Sequence, residues 1–265
     1  MTGSGFTTPV RLRLEEFPLA ILEKRCSPAL RERAYSAVVG GRRLSLTSAA
    51  EPGQLPTSGS MTLLLALITM YRQSAIEVRD LEFPLYQLTL AFRQKKSGRL
   101  YQRIKASLPV WNRVVYTFDS QDLAAGAGKP YHATFRVLEK CVQLPNKAWH
   151  IQWSDPVWFA LMHGAWSNLD AGILFDLAPL PRQLYCFLVS RFRTSAAPLR
   201  IDLHELAFEH LGVSRSVPNY RLLDKIRRAC AGLERSYLKP DDARIQKRSA
   251  GAWDVVFENP TFSSA

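Results

Sequence analysis

Long apolar runs are missing from this sequence. The longest, residues 63–70 (LLLALITM), falls far short of the roughly 20 residues that a bilayer-spanning helix needs. The opening MTGSGFTTPV has neither the basic start nor the apolar centre of a signal peptide. The expectation is a cytoplasmic protein with no membrane partner. Cysteine is scarce as well: Cys26, Cys141, Cys186 and Cys230 are scattered, with no C-x-x-C pair. That spacing spells neither a redox motif nor a zinc knuckle, and without an export signal the thiols are expected to stay reduced.

Catalytic and cofactor patterns are equally thin. The five histidines, His132, His150, His163, His204 and His210, include no pair separated by a single residue, which removes the His-hydrophobe-His metal site that DNA-nicking initiators use with a tyrosine nucleophile. His204 and His210, six apart on a short helix, fall on opposite sides and make no zinc site. Residues 126–129 (GAGK) suggest a phosphate-binding loop, but Leu123 stands where its first glycine belongs and Pro130 where Ser or Thr is required. The carboxylates are too dispersed to spell a two-metal nuclease centre. No catalytic residue, metal ligand or cofactor is expected.

Acidic residues are also in short supply. Against 35 Lys+Arg there are 23 Asp+Glu, a net charge of +12, in a chain of 265 residues that is 47% hydrophobic and 22% charged. The composition is globular, excludes a mainly disordered chain or a coiled coil, and suits one large domain or two ordinary ones. The excess charge points to a polyanion, nucleic acid or an anionic membrane. Residues 1–150 hold 21 Lys+Arg and 11 Asp+Glu, a net of +10, and residues 151–265 hold 14 and 12, a net of +2. No acidic residue lies between Glu82 and Asp119, a gap containing Arg93, Lys95, Lys96, Arg99, Arg103, Lys105 and Arg113. A second cluster, Arg215, Arg221, Lys225, Arg227 and Arg228, is broken only by Asp224. Such runs are most often solvated faces, so what matters is whether each lies on one side of a helix.

Periodicity supplies the organisation. Residues 1–9 are expected to be disordered. A strand over 10–14, a helix-like stretch over 31–38 and a strand over 42–47 lead to a loop, EPGQLPTSGS, at 51–60. Helices are predicted over 62–72, 81–92 (Pro84 in its first turn) and 99–108, with a turn at Ser97-Gly98 and a stop at Pro109. Strand-like runs follow over 113–118, 131–142 and 147–153. The second half shows helices over 156–163 and 181–192, a short strand over 199–201, and a helix capped by Asp202 and Glu205 and stopped by Gly212. A helix from Ser216 and Pro218 to about Leu233 comes next. Strands over 236–239 and 252–257 close the chain, joined by a basic loop with Arg244, Lys247 and Arg248. Each half thus reads helix, helix, turn, helix, hairpin. The predicted fold is α+β, two tandem winged-helix domains, over residues 10–153 and 154–265. The six tryptophans, Trp111, Trp149, Trp153 and Trp158 among them, are expected to fill the junction between the halves, with a single-strand stacking platform as the alternative.

The third helix of each half separates its faces. Leu100, Ile104 and Leu108 form one apolar stripe, opposed by Arg99, Gln102, Arg103 and Ala106 with Lys105 on the flank. Leu222, Ile226, Ala229, Cys230 and Leu233 form the other, opposed by Arg221, Asp224 and Arg228, with Tyr220, Lys225 and Arg227 alongside. A recognition helix needs this division: one face anchors it, and the other offers guanidinium and amide groups to base edges and phosphates in a major groove.

Several segments resemble the plasmid replication initiators of the replication initiator protein A type and their tandem winged-helix relatives. They are residues 40–60 with LLLALITM, SGRLYQRIKASL (97–108), LAPLPRQLYCFLVSRF (177–192, with an L-x-R-x-L-Y-x-x-L pattern) and LHELAFEHLGVSRSVPNYRLLDKIRRACAGL (203–233). The likeness follows order and hydrophobic pattern over most of 40–257, and Pro181 departs from the helix former usual in that family. The resemblance implies a protein that binds repeated double-stranded DNA sites at a replication origin, helps melt adjacent AT-rich DNA and recruits host helicase or initiation proteins. Many such proteins also dimerise to repress their own gene, which makes a second copy of the chain a further implied partner.

Phosphate contacts are expected from Lys95, Lys96, Lys105, Lys225, Arg227, Arg244, Lys247 and Arg248, and base contacts from Arg99, Gln102, Arg103, Tyr220, Arg221 and Arg228. Arg215 and Asn219, ahead of and at the start of the second basic helix, complete the DNA-binding set. A winged-helix transcriptional regulator without a replication role shares all these features. A metal-dependent nucleic-acid-processing enzyme is the other alternative.

Overall fold

Alternating burial sets up the first sheet. The computed structural model describes residues 14–23, 27, 29–50, 53–74, 78–92, 97–123, 130–166, 168–195, 197–234, 236–248 and 252–258. Glu32–Val39 forms β1 and Arg42–Ala50 forms β2, joined through Gly40 and Gly41 at φ of +57° and +76°, the left-handed pair that a two-residue hairpin turn requires. The helix expected over 31–38 is therefore a strand. Tyr35, Ala37 and Val39 face inward and Ala34, Ser36 and Val38 outward, and this period of two outweighs the helix propensity of Glu32, Arg33 and Ala34. Of the strand expected over 10–14, only Leu14 is described, and it opens a 3-10 turn, Leu14–Glu16. The expected disordered stretch 1–9 and the loop at 126–129 lie outside the described residues.

Helix α1 (Ser58–Gln73) is apolar on all sides at its centre, and residues 63–68 are all buried, as such a helix must be. β3 (Asp80–Phe83), α2 (Leu85–Ala91), α3 (Gly98–Ser107) and the short α4 (Val110–Arg113) follow. The single helix expected over 81–92 is thus a strand and a helix parted at Pro84, whose missing N–H costs nothing at the N-cap. β4 (Val114–Asp122) and β5 (Tyr131–Phe135) complete a four-stranded antiparallel sheet ordered β1-β2-β4-β5. β6 (Leu138–Gln143) and β7 (Trp149–Trp153) pair with β3 instead, in the order β3-β7-β6. The run from 131 to 142 is therefore two strands serving two sheets. The hairpin that closes the first unit is β6-β7, and β4 and β5 are inserted between α3 and that hairpin. Helix α1, strand β3, helices α2 and α3, and a hairpin whose last strand lies beside β3 make a winged helix.

After α5 (Asp155–Met162) and α6 (Ala171–Asp176) the order repeats with α7 (Pro179–Thr194), β8 (Leu199–Asp202), a helical segment to His210, α8 (Asn219–Glu234), β9 (Ala243–Lys247) and β10 (Trp253–Phe257), the sheet running β8-β10-β9. Asp202 caps the segment as expected: its Oδ1 accepts the backbone N–H of His204 (2.8 Å) and Glu205 (3.2 Å). The segment is a π-helix over Glu205–His210, ended by Gly212 at φ +70°, where a Cβ would meet the Pro18 ring at 3.0 Å. The strand expected over 236–239 is a turn. Leu238 is buried there and Tyr237 packs edge-on against Tyr185, with centroids 4.8 Å apart. The strand begins only at Ala243, so Arg244 and Lys247 lie on β9 and not in a loop.

Buried apolar residues of both units form one continuous cluster. Residues 14–23 cross between the units as a strap. Glu16 pairs with Arg191 (2.8 Å) and Glu15 with Arg193 (2.7 Å) on α7. His210 Nδ1 donates to the Glu16 carbonyl (2.7 Å), with the imidazole between Phe17 and Phe187. Further along, the Leu19 carbonyl accepts from Tyr116 Oη (2.8 Å), and Ile21 N donates to the Pro56 carbonyl (2.8 Å). Arg182, the arginine of the L-x-R-x-L-Y pattern, clamps the connection: it donates to the carbonyls of Leu174 (2.9 Å) and Leu177 (2.6 Å) and to Thr62 of α1. Of the tryptophans expected at the junction, Trp111 is instead inside the first unit, its Nε1 donating to the Ser60 carbonyl (3.2 Å). Among the described residues no helix is long and apolar enough to cross a membrane.

Candidate nucleic-acid interface

Helix α3 is set by its cap and its stripe. The Ser97 hydroxyl accepts the Leu100 N–H (3.2 Å), supplying one donor of the first turn with a partner. Leu100, Ile104 and Leu108 are buried, while Arg99, Gln102, Arg103 and Lys105 are exposed, so the predicted faces are those observed. Lys95 and Lys96 lie outside the described residues. The first wing adds residues that the sequence reading did not single out. Between β6 and β7 the Leu144 N–H donates to the Ala148 carbonyl (2.8 Å), Asn146 Oδ1 accepts the Ala148 N–H (2.9 Å), and Lys147 stands at φ +65° with its side chain exposed. Lys140 and Arg136 are exposed nearby in the chain. The signal was present in Pro145-Asn146, a turn dipeptide between two strand-like runs.

Helix α8 repeats the division over a longer span. Leu222, Ile226, Ala229, Cys230 and Leu233 are buried, while Asn219, Tyr220, Arg221, Lys225, Arg227 and Arg228 are exposed. Tyr220 is 67% exposed, with the Arg221 guanidinium 5.7 Å from its ring centroid. Arg228 is held along the helix by Asp224, four residues back, at 2.8 Å. At the start of the helix, His204 Nε2 lies 2.9 Å from Asn219 Oδ1.

The remaining predicted residues are more constrained. Arg215 pairs with Glu209 and covers the Phe208 ring at 5.5 Å, and the other oxygen of Glu209 accepts the Ser36 N–H of β1 at 2.6 Å. Arg244 Nε donates to the Asp241 carbonyl (3.1 Å), and Lys247 is exposed on β9. Arg248 is engaged by two carboxylates, Asp202 (3.0 Å) and Asp254 (2.8 Å). It ties the ends of β8 and β10 together, and contact with phosphate would require breaking those pairs.

Chemically, the two exposed helix faces offer fixed positive charge and hydrogen-bond donors. Guanidinium groups stay charged at any physiological pH and match phosphate and guanine edges with two parallel bonds. Nucleophilic character is weak: burial pushes the Cys186 and Cys230 thiols up to about 12, and Cys141 to about 12 as well. Among the described residues no group of three or more His, Cys, Asp or Glu is placed to hold a metal ion.

No family model matches the sequence, and no curated protein matches it. The fold, however, has solved counterparts. Selenomethionine derivatives of domains 2 and 3 of RctB superpose with a TM-score of 0.60 at 15% identity, over 91% of this chain and 95% of that one. A second structure of RctB domains 2–3 gives 0.58 at 14% identity, over 92% and 96%. At such low identity the likeness concerns architecture, and it agrees with the element order derived above: this chain has an α+β fold of two tandem winged helices.

Proposed function

We propose that this chain is a sequence-specific double-stranded DNA-binding protein that initiates replication at repeated origin sites. The observation that carries the reading is the pair of winged helices, each turning the basic face of its third helix to solvent. That helix is the one which enters the major groove in winged-helix and helix-turn-helix proteins. The architectural match to RctB, a replication initiator, supports the biological role. In this scheme Arg99, Gln102, Arg103, Asn219, Tyr220, Arg221 and Arg228 read bases. Lys105, Lys225, Arg227, Arg244 and Lys247, joined by Lys147 of the first wing, hold phosphates. The protein acts by binding alone: it promotes opening of adjacent AT-rich DNA, brings in the host helicase, and as a dimer represses its own gene.

The test is a footprint of the full chain on DNA flanking its coding region. The expected result is protection of direct repeats spaced by whole helical turns, on DNA that replicates when the chain is supplied. Protection without replication would identify a transcriptional regulator. Metal-dependent nicking of supercoiled repeat DNA by the pure chain would identify an enzyme.

A further inference from the structure

We infer that His204 is a positioning residue that holds the Asn219 amide in one orientation, so that α8 begins with a donor-only group selecting guanine at one base position. The inference rests on the DNA-binding reading above and adds the base that this part of the helix accepts.

Asn219 is the first residue of α8 and its side chain is exposed, the place from which recognition helices reach base edges. Its Oδ1 lies 2.9 Å from His204 Nε2. An amide oxygen only accepts, so Nε2 carries the hydrogen and donates. His204 is itself fixed. Its backbone N–H is held by the Asp202 cap, and its ring stacks on Phe208 with centroids 5.5 Å apart and planes 15° apart. On the other ring edge, Nδ1 faces the Asp202 carboxylate at 4.0 Å. Phe208 is covered in turn by Arg215, which Glu209 anchors. The imidazole is thus a fixed arm at the start of the π-helix, reaching to the head of the recognition helix.

The consequence follows from donor and acceptor inventory. An unrestrained asparagine reads adenine with both ends of its amide, Oδ1 taking the N6 hydrogen and Nδ2 donating to N7. With Oδ1 held by His204, the outward group is Nδ2, which only donates. Guanine presents two acceptors, N7 and O6, whereas adenine presents one acceptor beside an amino group, cytosine an amino group alone and thymine a single acceptor beside a methyl. Guanine is the base that satisfies both amide hydrogens.

The experiment uses the full chain and a random-sequence duplex library, followed by affinity measurements on four duplexes that differ at the position where Asn219→Ala loses its preference. The wild type is expected to favour guanine over adenine by about tenfold. His204→Ala should free Oδ1 and shrink that ratio to about threefold or less, chiefly by strengthening the adenine duplex. His204→Gln, whose amide can donate to the same oxygen, should restore the guanine preference. A wild-type preference for adenine at that position overturns the inference, as does uniform weakening of all four duplexes by His204→Ala. Failure to enrich any sequence from the library defeats the DNA-binding reading itself, and this inference with it.

Discussion

Between third helix and wing, the first winged helix inserts residues 108–137 and the second only residues 235–242. The first unit spends that length on β4 and β5, which give it a second sheet and a large interior of its own around Tyr116 and Phe118. Among the described residues the second has no such sheet. Its support comes from the strap, through Glu15, Glu16 and Phe17, and from the edge of β1, where Ser36 meets Glu209. A winged helix can therefore be stabilised either from within or by borrowing. The unit that borrows is the one whose third helix is longer, 16 residues against 10.

The comparison can be broken most directly at the strap. Glu16→Ala removes the carboxylate that pairs with the largely buried Arg191 and should lower unfolding free energy by about 3–5 kcal/mol in urea denaturation. Asp122→Ala, which breaks the more exposed Arg42 pair in the first unit, should cost no more than about 1 kcal/mol; equal losses would erase the distinction between the units. Next come the reading faces. Arg103→Ala and Arg228→Ala should each cost about 1–3 kcal/mol of binding to the specific site and relax selectivity at one base, by competition titration. If only one of them does so, only one unit reads sequence.

Alkaline stability tests the burial of both units, since Tyr35 and Cys141 of the first are also pushed up to about 12. Burial pushes Tyr185, Cys186 and Cys230 of the second unit to about 12. The unfolded thiols release their protons near 9.0 while the folded ones keep theirs. Stability is thus whole below that pH and declines as pH climbs towards about 12, by about 1 kcal/mol per buried thiol at pH 10. Urea midpoints between pH 8 and 11 measure the fall, and a flat profile would contradict the burial of these groups. Smaller still, Lys147→Ala in the first wing and Lys225→Ala in α8 should each reduce the slope of log affinity against log salt by about one, alike on specific and random DNA. Least of all, Asp224→Ala should change stability by no more than about 0.5 kcal/mol, since its pair with Arg228 is exposed.

The sequence disclosed the two basic helices because their anchors recur every three or four residues and their charges fall opposite. Leu100 and Ile104, or Leu222 and Ile226, needed no partner to be recognised as buried. Strand β1 was misread because its residues favour helices locally, and its alternation acquires meaning only beside β2. Strand β3 was lost inside a continuous apolar stretch where Pro84 suited either reading. The hairpin of the first unit was legible, but not where its first strand begins, because β5 and β6 adjoin in sequence yet belong to different sheets. Strand β9, with little alternation of its own, was displaced onto the buried turn at Leu238. Nothing in the spacing of Arg248 announced its two carboxylates, because Asp202 and Asp254 come from separate strands. The pairing of His204 with Asn219 leaves no trace in the spacing, since the two lie 15 residues apart across a loop.

The strap also fixes an order of events. Glu15 and Arg193 are 178 residues apart in the chain, and Glu16 and His210 are 194 apart. On the ribosome, two carboxylates that end up enclosed must remain hydrated until Arg193, 178 residues beyond Glu15, has been made. Loop closure over such distances is slow relative to local helix and hairpin formation. The strap is made before the residues it binds and is accordingly the last part to be seated, and its arrival seals the two halves to one another.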